Sequence, residues 1–232
     1  MVRRLLLWDI DGTLVRAGLL GAEVFDRALE DVLGEVPPGR VRMSGKTDPL
    51  IVHEQLALLG LEPDPATVEA VLDRLVARLA EVAHRLPGQG TPCPGVPELL
   101  EALGGDPAVA SGVLTGNLRP NAEVKLAAFG LDRLVDLRLG AYGSDDIDRN
   151  ALVPIARKRA TEHLGAEVAA DDTWVIGDTP RDLECARRGG VRCLLVGTGT
   201  YDVSELGLLG ADVTLPDLTD TATVLELLAG AA

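Results

Sequence analysis

The chain has few aromatic residues and no long apolar run, which limits the kind of protein it forms. Aromatic residues make up 3% of its 232 residues, so leucine, valine and alanine must fill the core. No apolar run approaches the roughly 20 residues that a membrane-spanning helix needs. The apolar segment behind Arg3 and Arg4 meets Asp9 too early for a signal peptide. We therefore expect a cytoplasmic protein without a membrane partner.

The small number of cysteines and the shortage of basic residues exclude further classes. Cys93, Cys185 and Cys193 are widely spaced and form no C-x-x-C pattern, which favours buried reduced thiols over disulfides or a zinc site. The 22 basic residues are outnumbered by 36 acidic ones, so the net charge is −14. This charge repels a polyanion such as DNA, and we expect no nucleic-acid partner. A few local cations still suffice to hold a small phosphate ester.

The hydrophobic pattern predicts two kinds of structure along the chain. Residues 16–90 contain three apolar helical patterns and no convincing strand. These patterns cover Leu20–Leu33, Pro49–Leu59 and Ala66–Leu86. Strands are predicted at Arg4–Trp8, Val109–Leu114, Val135–Leu139, Thr173–Ile176, Val191–Val196 and Val213–Leu215. Helices are predicted between them at Asn121–Phe129, Ala151–Leu164, Asp182–Arg188 and Ala222–Leu228.

Strands that alternate with helices imply a parallel sheet with helices on both faces. We therefore predict an α/β fold with a Rossmann-like core formed by residues 1–15 and 91–232. An all-α domain of residues 16–90 is inserted just behind the first strand. The segment Pro87–Pro97, rich in proline and glycine, is the predicted hinge by which the chain returns to the core.

The first strand ends in two aspartates separated by one residue. Residues two apart in an extended segment point the same way, so Asp9 and Asp11 are expected to face one site. Two adjacent carboxylates repel each other unless a cation lies between them. A hard divalent cation with oxygen ligands is the natural compensation. The alternative, in which both aspartates cap a helix or meet solvent, stays open on this segment alone.

Polar residues also follow two later strands, where parallel sheets bind their ligands. The three strand ends contribute Asp9, Asp11 and Thr13, then Thr115, Gly116 and Asn117, then Asp178, Thr179 and Asp182. Each group alone is weak evidence, because polar loops after strands are common. Their succession on one predicted sheet indicates a single site.

These segments resemble the motifs of the haloacid dehalogenase-like superfamily. The chain reads D-x-D-G-T-L from Asp9, T-G-N from Thr115 and G-D-T-P-R-D from Gly177. Gly45–Asp48 and Pro94–Leu100 resemble the phosphoglycolate-phosphatase-like branch, in which a helical cap follows the first motif. The resemblance covers essentially the whole chain.

The resemblance implies a Mg²⁺-dependent phosphatase that hydrolyses a small phosphorylated metabolite through an aspartyl-phosphate. Asp9 is then the nucleophile, and Asp11 is the general acid and base. The implied Mg²⁺ ligands are Asp9, the backbone carbonyl of Asp11, and Asp178. Thr13 and Asp182 would lie just outside the ligands, although Asp182 also suits a helix cap.

The resemblance also implies which residues hold the phosphate. Thr115 would bind it together with backbone amides near Gly116 and Asn117, although Thr115 also suits a helix N-cap. The family expects a lysine between the second and fourth motifs. Its usual position falls at Arg149, with Lys158 further along the next helix as the alternative.

Several alternatives remain open at this point. Lys46, within the predicted cap, either reaches the substrate or is solvated. A dehalogenase is disfavoured, since halide departure needs no proton from Asp11. A phosphonatase with a Schiff-base lysine, a phosphomutase of the β-phosphoglucomutase type, and a regulatory binding protein on the same scaffold all remain, as do the monomer and the homodimer.

Overall fold

A parallel five-stranded sheet in the order β4-β1-β5-β6-β7 lies at the centre of the protein. The computed structural model describes residues 2–229. Its strands are β1 (Arg4–Trp8), β2 (Val15–Arg16), β3 (Thr91–Pro92), β4 (Val109–Val113), β5 (Thr173–Gly177), β6 (Arg192–Val196) and β7 (Val213–Leu215). The short strands β2 and β3 pair with each other in an antiparallel ribbon outside this sheet.

Helices occupy most of the rest of the described chain. They are α1 (Leu20–Leu33), α2 (Asp48–Leu58), α3 (Pro65–Val82), α4 (Leu86–Gln89), α5 (Val96–Gly104), α6 (Arg119–Ala128), α7 (Leu152–Leu164), α8 (Pro180–Gly189), α9 (Val203–Gly207) and α10 (Thr221–Ala229). Short 3-10 turns lie at Ala83–Arg85, Arg149–Ala151 and Ala170–Asp172. Among these helices, none has the length and apolar character that crossing a membrane requires.

Strand β1 is apolar from Leu5 to Trp8 because both faces of the sheet are covered. Leu6 and Trp8 belong to one hydrophobic cluster, whereas Leu5 and Leu7 belong to a second cluster on the opposite face. Successive side chains of a strand point to opposite faces, so four consecutive apolar residues serve both layers. The predicted α/β fold with helices on both faces is confirmed: α5, α6 and α10 cover one face, and α7, α8 and α9 cover the other.

Helices α1, α2 and α3 form a unit with its own hydrophobic cluster. Its buried residues run from Ala17 to Leu86, together with Leu118 of the segment before α6. The helix α1 ends at Gly34, whose left-handed backbone returns its N–H to the carbonyl of Glu30. We call residues 16–90 the helical unit. The division of the chain into domains at residues 15 and 91 stays a prediction.

One predicted strand is wrong. The segment Val135–Leu139 forms turns, although Val135 and Leu139 are buried. Asp136 accepts a hydrogen bond from the backbone N–H of Arg138, and this local turn competes with strand pairing. Leu139 packs against Gly112 in the sheet-edge strand β4. The apolar pattern of this segment therefore reflects its burial beside the sheet, although the segment is not a strand of that sheet.

The central position of β1 gives a test of the core. Leu7→Ala should lower the free energy of unfolding by about 2–5 kcal/mol, because the lost side chain leaves a cavity between the sheet and the helices α7 and α8. The matched control is Leu208→Ala, at a leucine that is 89% exposed. Urea unfolding measures both variants. Equal stabilities for the two would contradict the assigned core.

Candidate active site

The carboxyl ends of β4, β1 and β5 meet at one edge of the sheet. These three strands are neighbours and run parallel, so the loops behind them come together. Asp9, Thr115 and Asp178 all line one cavity of about 430 Å³ at this edge. The cavity also contains Asp11 and Asn117. The structure thus brings together all three of the polar groups that the sequence placed at strand ends.

The loop behind β1 is shaped by a close approach to Asp178. The N–H of Asp9 donates to the carbonyl of Ile176 at 2.8 Å, which continues the ladder between β1 and β5. Gly12 follows with a φ of +88°, and a Cβ there would lie 2.4 Å from Asp178 Oδ2. Only glycine fits both the backbone conformation and the space. The turn therefore holds the first and third loops against each other.

Three carboxylates gather behind this turn. Asp9, Asp178 and Asp182 are buried, and their nearest oxygens all lie within 4.8 Å of one another. Burial raises the pKa of Asp9 above its ordinary range, although Arg149 opposes the shift. Burial also raises the pKa of Asp178, and the charges of Asp182 and Asp9 add to this rise. Such a cluster needs a compensating cation.

Arg149 supplies part of that compensation. Its Nη2 donates to Asp182 Oδ1 at 2.5 Å and lies 3.3 Å from Asp9 Oδ2. Burial alone would lower the pKa of Arg149, but Asp182 and Asp9 raise it well above the usual range. The Nε of Arg149 is buried without a hydrogen-bond partner among residues 2–229. Arg149 also lines the cavity, so its guanidinium charge acts on an anion bound there.

Asp182 is fully engaged by protein groups. Its Oδ2 accepts from the N–H and the Oγ1 of Thr179 at 2.9 and 2.7 Å, which caps the start of α8. Its Oδ1 accepts from Arg149. Asp182 thus anchors Arg149. It also caps helix α8, which was the alternative role expected from the sequence.

Asp9 and Asp178 are the carboxylates best suited to hold a metal. Within residues 2–229, the carboxylate of Asp178 accepts one side-chain hydrogen bond, from the hydroxyl of Thr13 at 3.3 Å. Carboxylate oxygens are the donors that Mg²⁺ prefers. The residues present therefore fit a hard divalent cation between the loops behind β1 and β5.

The loop behind β4 contributes Thr115, Gly116 and Asn117. The Oγ1 of Thr115 accepts from the side-chain amide of Asn117 at 2.8 Å, and both residues are buried. A Cβ on Gly116 would lie 1.9 Å from the carbonyl oxygen of Lys46, so the helical unit sits directly against this loop. The N–H of Asp48 also donates to the Gly116 carbonyl at 2.7 Å. These contacts fix the position of the loop behind β4 against the helical unit.

Lys125 also lines the cavity, although no motif in the sequence marks it as a site residue. This residue lies in α6, and its side chain is only 10% exposed. Its Nζ donates to Asp11 Oδ2 at 2.6 Å and to Asn117 Oδ1 at 2.7 Å. A signal was available, since a lysine interrupts the buried face that Ala122 and Leu126 define.

The helical unit closes the other side of the cavity. Lys46 lines it, and its Nζ donates to Glu54. Asp48 is buried at the start of α2, where its Oδ2 accepts from the N–H of Leu118 at 2.8 Å. Burial raises the pKa of Asp48 to about 6, although Lys125 opposes the shift. Lys46 therefore faces the cavity, and Glu54 compensates its charge. This placement lies between the two alternatives from the sequence, which were a lysine that reaches the substrate and a solvated lysine.

Lys158 lies outside the site, which corrects the alternative that placed it there. Its side chain is 77% exposed on α7, and its Nζ lies 3.9 Å from Glu162. Arg149 precedes α7 and turns inward, whereas Lys158 comes two turns later on the solvent face. The helical register thus separates the two candidates.

The described geometry agrees with comparisons to known proteins. A family model for haloacid dehalogenase-like hydrolases matches residues 6–187, which include all three loops. The chain belongs to this family. A phosphoglycolate phosphatase from Rhodospirillum rubrum is 30% identical over 209 residues, which cover 88% of this chain and 83% of the relative.

Two further relatives support this membership. A phosphoglycolate phosphatase from Caulobacter vibrioides is 30% identical over 226 residues, which cover 92% of this chain and 86% of the relative. The crystal structure of a hydrolase from Pseudomonas syringae shares the fold, with a TM-score of 0.73 and 23% identity over 97% of this chain and 99% of that one. The resemblance stated from the motifs is confirmed. This haloacid dehalogenase-like protein is a hydrolase, and its two curated relatives named here are phosphatases.

The buried carboxylates give a pH-dependent test of the metal site. Raised pKa values in the folded state mean that it binds more protons than the unfolded chain. The metal-free protein should therefore lose stability as the pH rises above about 4, where unfolded carboxylates ionise. A divalent cation at Asp9 and Asp178 offsets this loss, so Mg²⁺ should raise the unfolding temperature more at pH 8 than at pH 5.

Differential scanning calorimetry with and without Mg²⁺ at the two pH values measures this effect. Asp178→Asn should reduce the shift that Mg²⁺ produces at pH 8, whereas the control Asp217→Asn, at a residue outside the cavity lining, should leave it unchanged. Equal shifts at both pH values would contradict the assigned cation site.

Proposed function

We propose that this protein is a Mg²⁺-dependent phosphatase that hydrolyses a small phosphorylated metabolite, in the manner of a phosphoglycolate phosphatase. The observation that supports this most directly is the shared cavity of Asp9, Asp11, Thr115, Arg149 and Asp178. This cavity combines the buried carboxylate of Asp9, the more exposed carboxylate of Asp11 and hydrogen-bond donors suited to an anion. The names of the curated relatives support the same substrate class.

Asp9 is the proposed nucleophile. A carboxylate oxygen of Asp9 attacks phosphorus while the bond from phosphorus to the alcohol oxygen breaks, which leaves an aspartyl-phosphate. Arg149, 3.3 Å from Asp9, offsets negative charge on the nucleophile and the phosphate. Mg²⁺ held by Asp9, the backbone carbonyl of Asp11 and Asp178 would supply Lewis-acid stabilisation of the transferring group.

Asp11 is the proposed general acid and base. Its side chain is 44% exposed, whereas that of Asp9 is buried, so Asp11 reaches into the open part of the cavity. It gives a proton to the departing alcohol oxygen in the first step. In the second step it accepts a proton from the water that attacks phosphorus and releases Asp9.

Thr115, Gly116, Asn117 and Arg149 are the proposed phosphate ligands. The Thr115 hydroxyl accepts from Asn117, so its own proton is free to point at a phosphate oxygen. Arg149 also lines the cavity, and its guanidinium supplies further donors. A guanidinium presents several donors in a fixed plane, which suits two oxygens of one phosphate.

The helical unit of residues 16–90 is the proposed cap. Phe25, Met43 and Ile51 line the cavity opposite the carboxylates. We propose that the unit excludes water around the substrate. A phosphonatase is disfavoured by the Lys46–Glu54 pair, because Schiff-base formation needs a neutral amine.

Replacement of the nucleophile tests the covalent mechanism. Asp9→Asn should lower the rate of phosphate release by at least about 10³-fold, because an amide cannot form the acyl-phosphate. The rate is measured on p-nitrophenyl phosphate and on a panel of phosphorylated metabolites that includes phosphoglycolate, with Mg²⁺ or with a chelator. The unfolding temperature shows that the variant is folded.

The control Asp217→Asn should keep wild-type activity, and acid-quenched wild-type enzyme should yield a phosphorylated peptide that contains Asp9. A lifetime of this intermediate that shortens only with sugar phosphates would indicate the phosphomutase instead. Substantial activity in pure Asp9→Asn would rule out the covalent route. The absence of metal-dependent turnover on every compound would favour the regulatory binding protein.

A further inference from the structure

We propose that Lys125 is a positioning residue that holds Asp11 in place for proton transfer. This inference rests on the proposed phosphatase function and adds a residue to it. Lys125 lies in α6 and reaches the cavity from behind the T-G-N loop. Its contacts are with Asp11 and Asn117, and its hydrogen bonds do not include Asp9.

Lys125, Asn117 and Asp11 form a closed triangle of hydrogen bonds. Lys125 donates to Asp11 Oδ2 at 2.6 Å and to Asn117 Oδ1 at 2.7 Å. The side-chain amide of Asn117 donates to the same Oδ2 of Asp11 at 2.8 Å. Two donors, one from α6 and one from the loop behind β4, thus converge on one carboxylate oxygen and orient the Asp11 carboxylate.

The other oxygen of Asp11 is left for the reaction. Among residues 2–229, no hydrogen-bond donor reaches Asp11 Oδ1, and Asp11 faces the cavity. Oδ1 is therefore the atom that delivers the proton to the departing alcohol oxygen and later takes one from water. The ammonium group of Lys125 lies against Asp11 and offsets the negative charge that Asp11 carries after the proton has left.

Lys125 is buried, so its hydrogen bonds are needed to compensate its charge. An ammonium group taken from water is costly unless it is paired and hydrogen-bonded. The charge of Lys125 also acts on Asp48 of the helical unit, whose ionised form it favours. Asp48 is held by the N–H of Leu118 at 2.8 Å. Lys125 is therefore enclosed by groups from the core and from the helical unit.

A leaving-group comparison separates this role from simple phosphate binding. A nitrophenolate leaves without much protonation, whereas an alkoxide depends on the general acid. The two probes are p-nitrophenyl phosphate and the alkyl phosphate that the wild-type enzyme turns over fastest in the metabolite panel. The measured quantity is kcat/KM, which reports the steps up to release of the alcohol.

Lys125→Met should lower kcat/KM by about 10²-fold or more on the alkyl phosphate, because general acid catalysis is worth that much. The loss on p-nitrophenyl phosphate should stay below about fivefold. Asp11→Asn should show the same pattern. The double variant should lose no more than Asp11→Asn alone on the alkyl phosphate, because both changes remove one function.

Lys158→Met is the matched control, because that lysine is exposed and remote from the cavity, and it should match the wild type on both probes. Equal losses of Lys125→Met on both probes would show that Lys125 binds phosphate or only stabilises the fold. Additive losses in the double variant would also overturn the proposal. Partial unfolding scales both rates alike, so the ratio of the two rates still decides.

Lys125→Gln serves if Lys125→Met is insoluble, since it keeps a donor and removes the charge. Failure of both variants to fold would make Lys125 a structural residue and reject the proposal. The proposed function fails separately, when the wild-type enzyme hydrolyses neither probe with Mg²⁺. The two failures are therefore distinguishable before any variant is made.

Discussion

The burial of several carboxylates at one edge of the sheet is the constraint on which the rest of this structure depends. Asp9, Asp178 and Asp182 share a small volume, and Arg149 compensates them only in part. Such a concentration of like charge is stable only if the backbone around it is rigid and a further cation is available. The parallel pairing of β1 with β5 supplies the rigidity, and Gly12 allows the two loops to approach.

The helical unit completes the site by contacts to the backbone. Gly116 touches the carbonyl of Lys46, and Asp48 is tied to both Gly116 and Leu118. These contacts place the unit on the loop that is proposed to bind phosphate.

Much of the fold followed from the sequence because its signals are local. The apolar strand β1, the helix α1 with its terminal Gly34 and the alternation behind residue 90 all depend on near neighbours along the chain. The incorrect strand at Val135–Leu139 shows where this reasoning fails. A segment buried beside a sheet and a strand paired within it have the same apolar pattern. Only the position of the segment relative to the neighbouring strand distinguishes them.

The sequence by itself determined the motifs Asp9-x-Asp11, Thr115–Asn117 and Asp178, and their order on a parallel sheet made one shared site the natural expectation. Tertiary structure alone placed Arg149 beside Asp9 and Lys158 on the surface, paired Lys46 with Glu54, and brought Lys125 to Asp11. The physical reason is that long cationic side chains reach several ångströms from their backbone. Their partners are set by which elements pack together, whereas a carboxylate at the end of a strand is placed by the strand itself.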